Sequence, residues 1–203
     1  MLKVISLIVG QLGTNCYLVY DSVLKETAIV DPGDDAEFVI NTVNKNDLKP
    51  VYVLATHGHY DHVLAVLELK LAYGIPFYMN RKDEFLLKRM KKTVKYYSGT
   101  ITDPPPNIDK NIDDGDELAL GKEKLEVMKA PGHTPGGLMF YERKAGVLIC
   151  GDILFEGGVK GRTDHQYSNE KDLVDTIDTI KKLPEKTSVL SGHGNAFYLK
   201  DIN

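Results

Sequence analysis

Histidine and aspartate are crowded into one short stretch of the chain, Thr56 to His62, which reads THGHYDH. It holds three of the six histidines together with one carboxylate. Imidazole and carboxylate groups together are ligands for zinc, iron or manganese. Surface or core histidines are the simpler interpretation, but buried polar groups need individual partners, and four so close together rarely find them. The stretch therefore predicts a metal site, with four candidate ligands: His57, His59, Asp61 and His62.

Three more candidate ligands follow apolar, strand-like segments elsewhere in the chain. They are His133 in APGHTPGG, Asp152 in ICGDILF and His193 in VLSGHGNAF. Because reactive groups of α/β folds lie beyond the carboxyl ends of strands, we expect these loops to meet at one edge of the fold. Seven ligands are too many for one zinc ion and suit two divalent ions.

Two divalent ions would supply a nucleophile for hydrolysis. A water shared by both ions loses much of its proton affinity, so that hydroxide is available at neutral pH. It would attack an acyl carbonyl whose oxygen is polarised by one of the ions. We expect Asp61 to orient this hydroxide and to accept its proton. Capping of the helix that follows is the alternative role for this residue.

The segments that must position these loops alternate between strand-like and helical patterns. Residues 51–56, VYVLAT, predict a buried strand that delivers the cluster to a loop at its carboxyl end. Leu64, Leu67 and Leu71 predict the apolar face of a helix over residues 61–73. Further strands are expected at 3–10, 15–21, 26–31, 75–80, 116–121, 124–130, 137–142, 146–151 and 188–192. Further helices are expected at 34–46 (opened by Asp34 or Asp35), 81–97 and 169–182 (opened by Ser168 or Asn169), with an irregular Pro-rich loop from Thr100 to Asn111. This order predicts an α/β chain with two sheets.

Composition narrows the classes of partner. The 203 residues carry a formal net charge of −4, and the densest basic run, residues 88–92, is typical of a solvated helix face. We therefore expect no nucleic-acid partner. No apolar stretch reaches membrane-spanning length, so we expect no membrane partner and a cytoplasmic location. Cys16 and Cys150 each lie in an apolar run, which favours two buried thiols over a disulfide.

The ordered pattern H-x-H-x-D-H, then His, then Asp, then His resembles the metallo-β-lactamase-fold hydrolases over almost the whole chain. The segments VDPG, PGHTPGG, GDILF, GRTD and GHG are most similar to the glyoxalase II branch, the hydroxyacylglutathione hydrolases. The resemblance implies an α/β (α+β) chain folded as a four-layer αββα sandwich of two mixed β-sheets. It also implies one hydrolase domain over residues 1–203 that cleaves a thioester, with the metals at one edge of the paired sheets.

The resemblance also implies a division of the ligands. His57, His59 and His133 would hold a first ion, and zinc is the expected metal, with iron or manganese as alternatives. A second ion would be held by Asp61, His62 and His193, and Asp152 would bridge both.

Other residues receive a role outside the ligand set. Asp31, in IVDPG, would support the ligands by fixing an imidazole, or would simply be a turn residue before Pro32. Arg162, in GRTD, would grip a substrate carboxylate, or would form a surface ion pair with Asp164. Two further side chains lie outside these matches: Tyr60 would contact substrate or pack, and His165, which matches no ligand position, is expected to be exposed.

Two departures from glyoxalase II bear on the substrate. The chain ends ten residues after His193 without the C-terminal helical segment that supplies basic groups for glutathione, and Lys200 is its only late cation. The segment EGGVK is one residue longer than in that branch. A persulfide dioxygenase with one iron on His57, His133 and Asp152 is the main alternative. A lactonase or a nuclease of the same fold is a further alternative. β-Lactamases of this fold usually have Cys at the position of Asp152, which argues against a β-lactam substrate.

Overall fold

Two six-stranded mixed sheets form the centre of the molecule in the computed structural model, which describes residues 1–202. The first sheet has the spatial order β1 to β6, with strands Leu2–Val9, Thr14–Asp21, Glu26–Val30, Lys49–Leu54, Phe77–Met79 and Lys110–Asn111. Its first three strands are antiparallel, and β3 to β6 run parallel.

The second sheet has the spatial order β14-β13-β10-β9-β8-β7, and only β10 and β13 are parallel neighbours. Its strands, in chain order from β7, are Glu117–Leu120, Glu123–Lys129, Leu138–Glu142, Val147–Gly151, Ser188–Ser191 (β13) and Phe197–Tyr198 (β14). Between β10 and β13 lies a small antiparallel ribbon of β11 (Leu154–Phe155) and β12 (Val159–Lys160).

Within residues 1–202, five α-helices cover the outer faces of the sheets. They are α1 (Ala36–Lys45), α2 (Tyr60–Val63), α3 (Val66–Tyr73), α4 (Glu84–Ser98) and α5 (Glu170–Ile180). Short 3-10 turns lie at Arg81–Asp83, Glu156–Gly158 and Leu199–Asp201. Asn169, one of the two expected caps, accepts the N–H of Asp172 and begins α5.

Three apolar layers hold the sandwich together. Along β2 the side chains alternate, so Cys16 and Leu18 pack on the helix side while Tyr17 and Val19 pack between the sheets. The outer layers are formed by the first sheet against α1, α3 and α4, and by the second sheet against α5. The predicted αββα sandwich of two mixed sheets is therefore confirmed.

The helix expected over residues 61–73 is wrong as a single element. It is broken between α2 and α3, where the Ala65 N–H donates to the carbonyl of Pro32 at 3.0 Å. Leu71, expected on the buried face, is 77% exposed, and Val66 and Leu69 are buried instead. The buried residues of α3 are therefore offset from the stripe that the sequence predicted.

The structure also bears on the predictions for the two cysteines, for the start of α1 and for a membrane-spanning helix. Both cysteines are free and buried, as predicted, and burial raises the pKa of Cys150 to about 12. Asp35 is the N-cap residue of α1, as one of the two expected openings, but its side chain makes no capping hydrogen bond and its carboxylate instead accepts the Gly10 N–H at 2.8 Å. Within residues 1–202 no helix is both long and apolar enough to cross a membrane.

Candidate metal centre

Parallel strand pairs deliver the candidate ligands to one edge of the sandwich. Asp31 and Thr56 emerge side by side, because β3 and β4 are parallel neighbours, with one register shift between Thr27 and Ala28. Asp152 and His193 emerge together in the same way after β10 and β13. An isolated antiparallel bridge between Thr14, the first residue of β2, and His193 then connects the two sheets at this end of the sandwich. The carboxyl ends of strands from both sheets therefore meet at the candidate site.

The first group of ligand atoms consists of three imidazoles. His57 Nε2 lies 2.9 Å from His59 Nδ1, and His133 Nε2 lies 3.0 Å from the same His59 atom. All three ligand atoms lie within 4.8 Å of one another, and His57 and His133 are buried. Three imidazole nitrogens this close together are a ligand set that catalytic zinc sites use.

The second group contains Asp61, His62 and His193. Asp61 Oδ2 lies 3.6 Å from His62 Nε2 and 3.4 Å from His193 Nε2. His59, and not Asp61, is the residue that precedes α2, so Asp61 does not act as its N-cap. Its carboxylate is free to face the centre, where the hydroxyl of Thr14 donates to it at 3.4 Å.

Asp152 lies between the two groups. Its Oδ1 is 3.6 Å from His62 Nε2, and its Oδ2 is 3.8 Å from His133 Nε2 and 3.7 Å from His193 Nε2. Within the described residues, both Asp152 Oδ1 and His62 Nε2 are buried side-chain atoms without a hydrogen-bond partner. Such atoms are costly unless a partner completes them. A divalent cation between the groups would satisfy both, so the residues fit metal ions.

Each of the five imidazoles is held through the ring nitrogen that points away from the centre. This leaves the other nitrogen free for a metal and fixes the tautomer that coordination needs. The partners, with distances, are Thr56 Oγ1 for His57 Nδ1 (3.0 Å), Tyr167 Oη for His59 Nε2 (2.8 Å), Asp31 Oδ2 for His62 Nδ1 (3.0 Å), Arg162 O for His133 Nδ1 (2.8 Å) and Leu12 O for His193 Nδ1 (3.2 Å).

Asp31 occupies the place expected for a residue that orients the ligands. It is fully buried, and its Oδ1 accepts the Thr56 N–H at 2.6 Å. Its Oδ2 accepts the Thr56 hydroxyl at 2.7 Å and also faces His62. Because that hydroxyl donates to Asp31, it can accept from His57 Nδ1–H. Asp31 has a φ of 51°, in the left-handed region that is strained for residues other than glycine. The residue that contacts the ligands therefore also carries backbone strain.

Charge is unevenly distributed over the centre. Burial lowers the pKa of His57 well below its usual value, and the neighbouring imidazoles add to this effect. Burial alone would also lower the pKa of His62, but the carboxylates of Asp61, Asp152 and Asp31 raise it to about 10. Burial opposes ionisation of Asp61, yet His62 and the other imidazoles hold its pKa well below the usual range. Burial likewise lowers the pKa of His59 and His133, so these shifts favour neutral imidazoles in the first group, whereas in the second group His62 is a cation paired with carboxylates.

The superfamily of the chain is shown by its match to a family model. The family model described as "Metallo-beta-lactamase superfamily" matches residues 9–193. The chain belongs to the metallo-β-lactamase superfamily.

Relatives within the superfamily cover nearly the same length. The chain is 36% identical over 189 residues to the hydroxyacylglutathione hydrolase GloC of Haemophilus influenzae, covering 89% of this chain and 85% of that protein. It is similar to the crystal structure of BLEG-1 B3 metallo-beta-lactamase, with 32% identity, a TM-score of 0.89 and coverage of 99% and 95%. It is also similar to TTHA1623 in a di-iron-bound form, with 30% identity, a TM-score of 0.88 and coverage of 97% and 95%.

A cavity of about 660 Å³ opens onto this metallo-β-lactamase centre. His59, Asp61, His133, Asp152 and His193 line its inner side. A second part of the lining comes from α4, through the side chains of Leu86, Arg89, Met90, Thr93, Val94 and Tyr97. A mostly apolar wall facing a few polar groups is the usual form of a small-molecule site.

Arg162, Tyr60 and His165, which the sequence placed outside the ligand set, all line this cavity. Arg162 forms a two-point ion pair with Asp164, both contacts at 2.7 Å, and its side chain is 60% exposed. Tyr60 stacks on Tyr97, with ring centroids 6.2 Å apart. The expectation that His165 is exposed is wrong, because its ring is half-buried against another side chain of the cavity.

Tyr167 is the contact that sequence reasoning missed. It stacks on His165 at 4.9 Å and also bonds to His59, which lies 108 residues earlier in the chain. No motif marks this tyrosine, because its role depends on the way the loop after β12 folds back over the centre. Only its position a few residues after GRTD connects it to the site.

Proposed function

We propose that this protein is a metal-dependent hydrolase of the hydroxyacylglutathione hydrolase type, which cleaves a thioester with two divalent ions. The observation that carries the proposal is Asp152 between two groups of ligands, with one of its oxygens and His62 Nε2 buried and unpaired. The similarity to GloC supports this substrate class. Zinc is the proposed metal, and the di-iron form of TTHA1623 makes iron the alternative to measure.

The chain's own residues divide the work of hydrolysis. When bound, the two ions would polarise a carbonyl and lower the pKa of a water molecule. Asp61 faces the centre as an ionised carboxylate, held there by Thr14, and would orient that water and accept its proton. The partners of the five imidazoles keep the ligand geometry fixed, so little reorganisation is required during the reaction.

The cavity walls suggest how the substrate is held. Arg162 has its guanidinium engaged by Asp164, so a substrate carboxylate would have to share or displace that partner. Arg89 also lines the cavity, its guanidinium 5.3 Å from the Phe85 ring centroid, and among residues 1–202 it has no carboxylate within 4.0 Å. We propose that these two arginines bind an anionic end of the substrate, while Tyr60 and α4 contact its apolar part.

The second candidate substrate is a β-lactam, which also contains an activated acyl bond. It is suggested by the similarity to the BLEG-1 B3 metallo-beta-lactamase. Both substrates need the same attack on a carbonyl, so the metal centre alone does not separate them. We also propose that the substrates are small acyl compounds and that the protein has no nucleic-acid or membrane partner. Its proposed location is the cytoplasm.

The test is a substrate panel with protein purified without added metal. We expect two metal ions per chain and hydrolysis of S-lactoylglutathione at a measurable but poorly saturating rate, with a lactone and nitrocefin cleaved more slowly. Asp152→Asn should abolish most of the activity. Asp178→Asn, an exposed aspartate on α5, is the control and should keep it. One iron per chain with sulfite formation and oxygen uptake on a glutathione persulfide would overturn the proposal in favour of a dioxygenase. Fast β-lactam turnover with thioesters untouched would favour the second candidate.

A further inference from the structure

Asp83 is a buried carboxylate outside the group of candidate ligands. It is 0% exposed and ends the 3-10 turn that leads into α4. Among the described residues no lysine, arginine or histidine lies within 4.0 Å of its carboxylate, so its charge has no ionic partner. A buried carboxylate without a counter-charge is costly and persists where hydrogen bonds compensate it.

Those hydrogen bonds come from two loops of the metal centre. Asp83 Oδ2 accepts the Gly58 N–H at 3.0 Å, and Asp83 Oδ1 accepts the Gly136 N–H at 2.6 Å. Gly58 lies between His57 and His59 in the chain, and Gly136 follows His133 by three residues. One side chain therefore joins the two segments that carry the first group of imidazoles.

Both glycines are packed directly against this residue. A Cβ on Gly58 would come within 2.9 Å of the Asp83 carbonyl oxygen, and a Cβ on Gly136 within 2.7 Å of its carboxylate. Neither loop can carry a larger residue here without moving away from the aspartate. The two glycines therefore allow the close approach that their hydrogen bonds to Asp83 require.

A third element is fixed at the same point. The helix α4 begins at Glu84, immediately after Asp83, and its side chains Leu86 and Met90 line the cavity. The wall that faces the substrate therefore starts from the residue that ties the two ligand loops together.

We propose that Asp83 is a positioning residue for the first metal ion. Its carboxylate sets the distance between the His57–His59 loop and the His133 loop, and so determines how tightly these three imidazoles bind a metal. The inference rests on the proposed metal centre and is independent of the identity of the substrate.

The test measures metal binding by the metal-free protein, without any turnover. Asp83→Asn retains the size of the side chain but places an amide NH₂ against one of the two backbone N–H groups. In a cobalt titration followed by absorbance, we expect the affinity of the first site to fall about 10-fold or more, as for other residues that orient ligands. The site of Asp61, His62 and His193 should change much less. His133→Ala and His193→Ala identify which absorbance step belongs to which site.

The matched control is Asp21→Asn. Asp21 is also a buried carboxylate that accepts two backbone N–H groups, from Val23 at 2.8 Å and Leu24 at 2.7 Å, but at the opposite end of β2 from Thr14. We expect Asp21→Asn to lower thermal stability with unchanged metal affinity. If Asp83→Asn behaves in the same way, or loses both metal sites equally, Asp83 is only structural and the proposal is wrong.

Two further measurements test the proposal if Asp83→Asn does not fold. Asp83→Glu retains the charge but moves it by one methylene, and it should show the same selective loss at the first site. In the unsubstituted metal-free protein, the Gly58 and Gly136 amides should be protected from hydrogen exchange, and rapid exchange of both would contradict the contact. If the unsubstituted protein binds no metal at all, the proposed function itself fails, which is a different outcome.

Discussion

At the scale of single residues, the centre is organised by the atoms behind the ligands. The five imidazoles use carbonyl, hydroxyl and carboxylate partners of different kinds, yet each partner faces the ring nitrogen that points away from the centre. Two of the partners are main-chain carbonyls, which mutation cannot remove directly. The side-chain partners, Thr56, Asp31 and Tyr167, are therefore the positions at which the orientation of the ligands can be tested.

Tyr167→Phe removes one such partner and retains the ring. We expect the affinity for the first metal ion to fall about 10-fold, because His59 loses the bond that fixes its tautomer. Tyr97→Phe, on the cavity wall, is the control and should bind metal as the unsubstituted protein does. Competition with a chromophoric chelator measures both affinities. Equal affinity in the two variants would show that the 2.8 Å contact does not orient the ligand.

Arg162→Ala and Arg89→Ala test how substrate is held. Each should raise the Michaelis constant for S-lactoylglutathione with little change in turnover, as expected when binding is lost equally from ground and transition states. The effect should be larger for Arg89, because Asp164 already neutralises Arg162. Steady-state kinetics give both constants. A fall in turnover at constant Michaelis constant would show that these cations act on the reacting group instead.

At the scale of elements, glycines allow the ligand loops to approach other backbone segments. A Cβ on Gly33, which follows β3, would lie 1.8 Å from the carbonyl oxygen of Asp61. Gly33 is therefore required where the turn after β3 passes under the start of α2. This contact and the bond from Ala65 to Pro32 fix the short helix that carries Asp61 and His62.

Gly33→Ala should consequently damage the second metal site. We expect a loss of about 1–3 kcal/mol in the free energy of unfolding from overpacking, together with weaker binding of the second ion. Gly115→Ala, at a glycine with open space around it and a φ of 85°, should cost stability through backbone strain but leave both ions bound. Denaturant unfolding with metal titration separates the two effects. Intact binding of the second ion in Gly33→Ala would contradict this account.

The elements also show how far sequence can predict this site. Apolar runs that end in histidine, aspartate and glycine predicted the strands and the loops that meet at the edge of the sheets, because those signals are local. The break at Ala65 could not be predicted in the same way, since it depends on the carbonyl of Pro32 in a distant turn. Tyr167 and Asp83 are missed for the same reason: their partners lie 108 and at least 25 residues away in the chain. Local pattern predicts which groups are present, and long-range contacts decide what holds them.

At the scale of the whole molecule, the centre lies where the two sheets meet. The THGHYDH loop follows β4 of the first sheet, while His133, Asp152 and His193 follow β8, β10 and β13 of the second. Either ion would therefore be held by groups from both sheets. Metal binding and the packing of the layer between the sheets should be coupled.

Removal of metal should reveal that coupling. With each ion present at 100 times its dissociation constant, binding stabilises the folded state by about 2.7 kcal/mol per ion. Chelation should thus lower Tm by about 5–10 °C per ion for a chain of this size. Zinc should restore the loss, and magnesium, which prefers oxygen ligands, should not. An unchanged Tm after complete metal removal would rule out two tightly bound ions that contact both sheets.

The division of ligands between the sheets also has a kinetic consequence. A half of the chain that has formed only its own sheet offers either ion at most two of its groups, so tight capture must wait until the sheets have docked. The time at which the ion binds its second pair of ligands therefore reports when the two sheets dock. Stopped-flow mixing of refolding chains with cobalt would time the docking step directly, because the colour of the fully coordinated ion develops only when residues separated by more than seventy positions have come together.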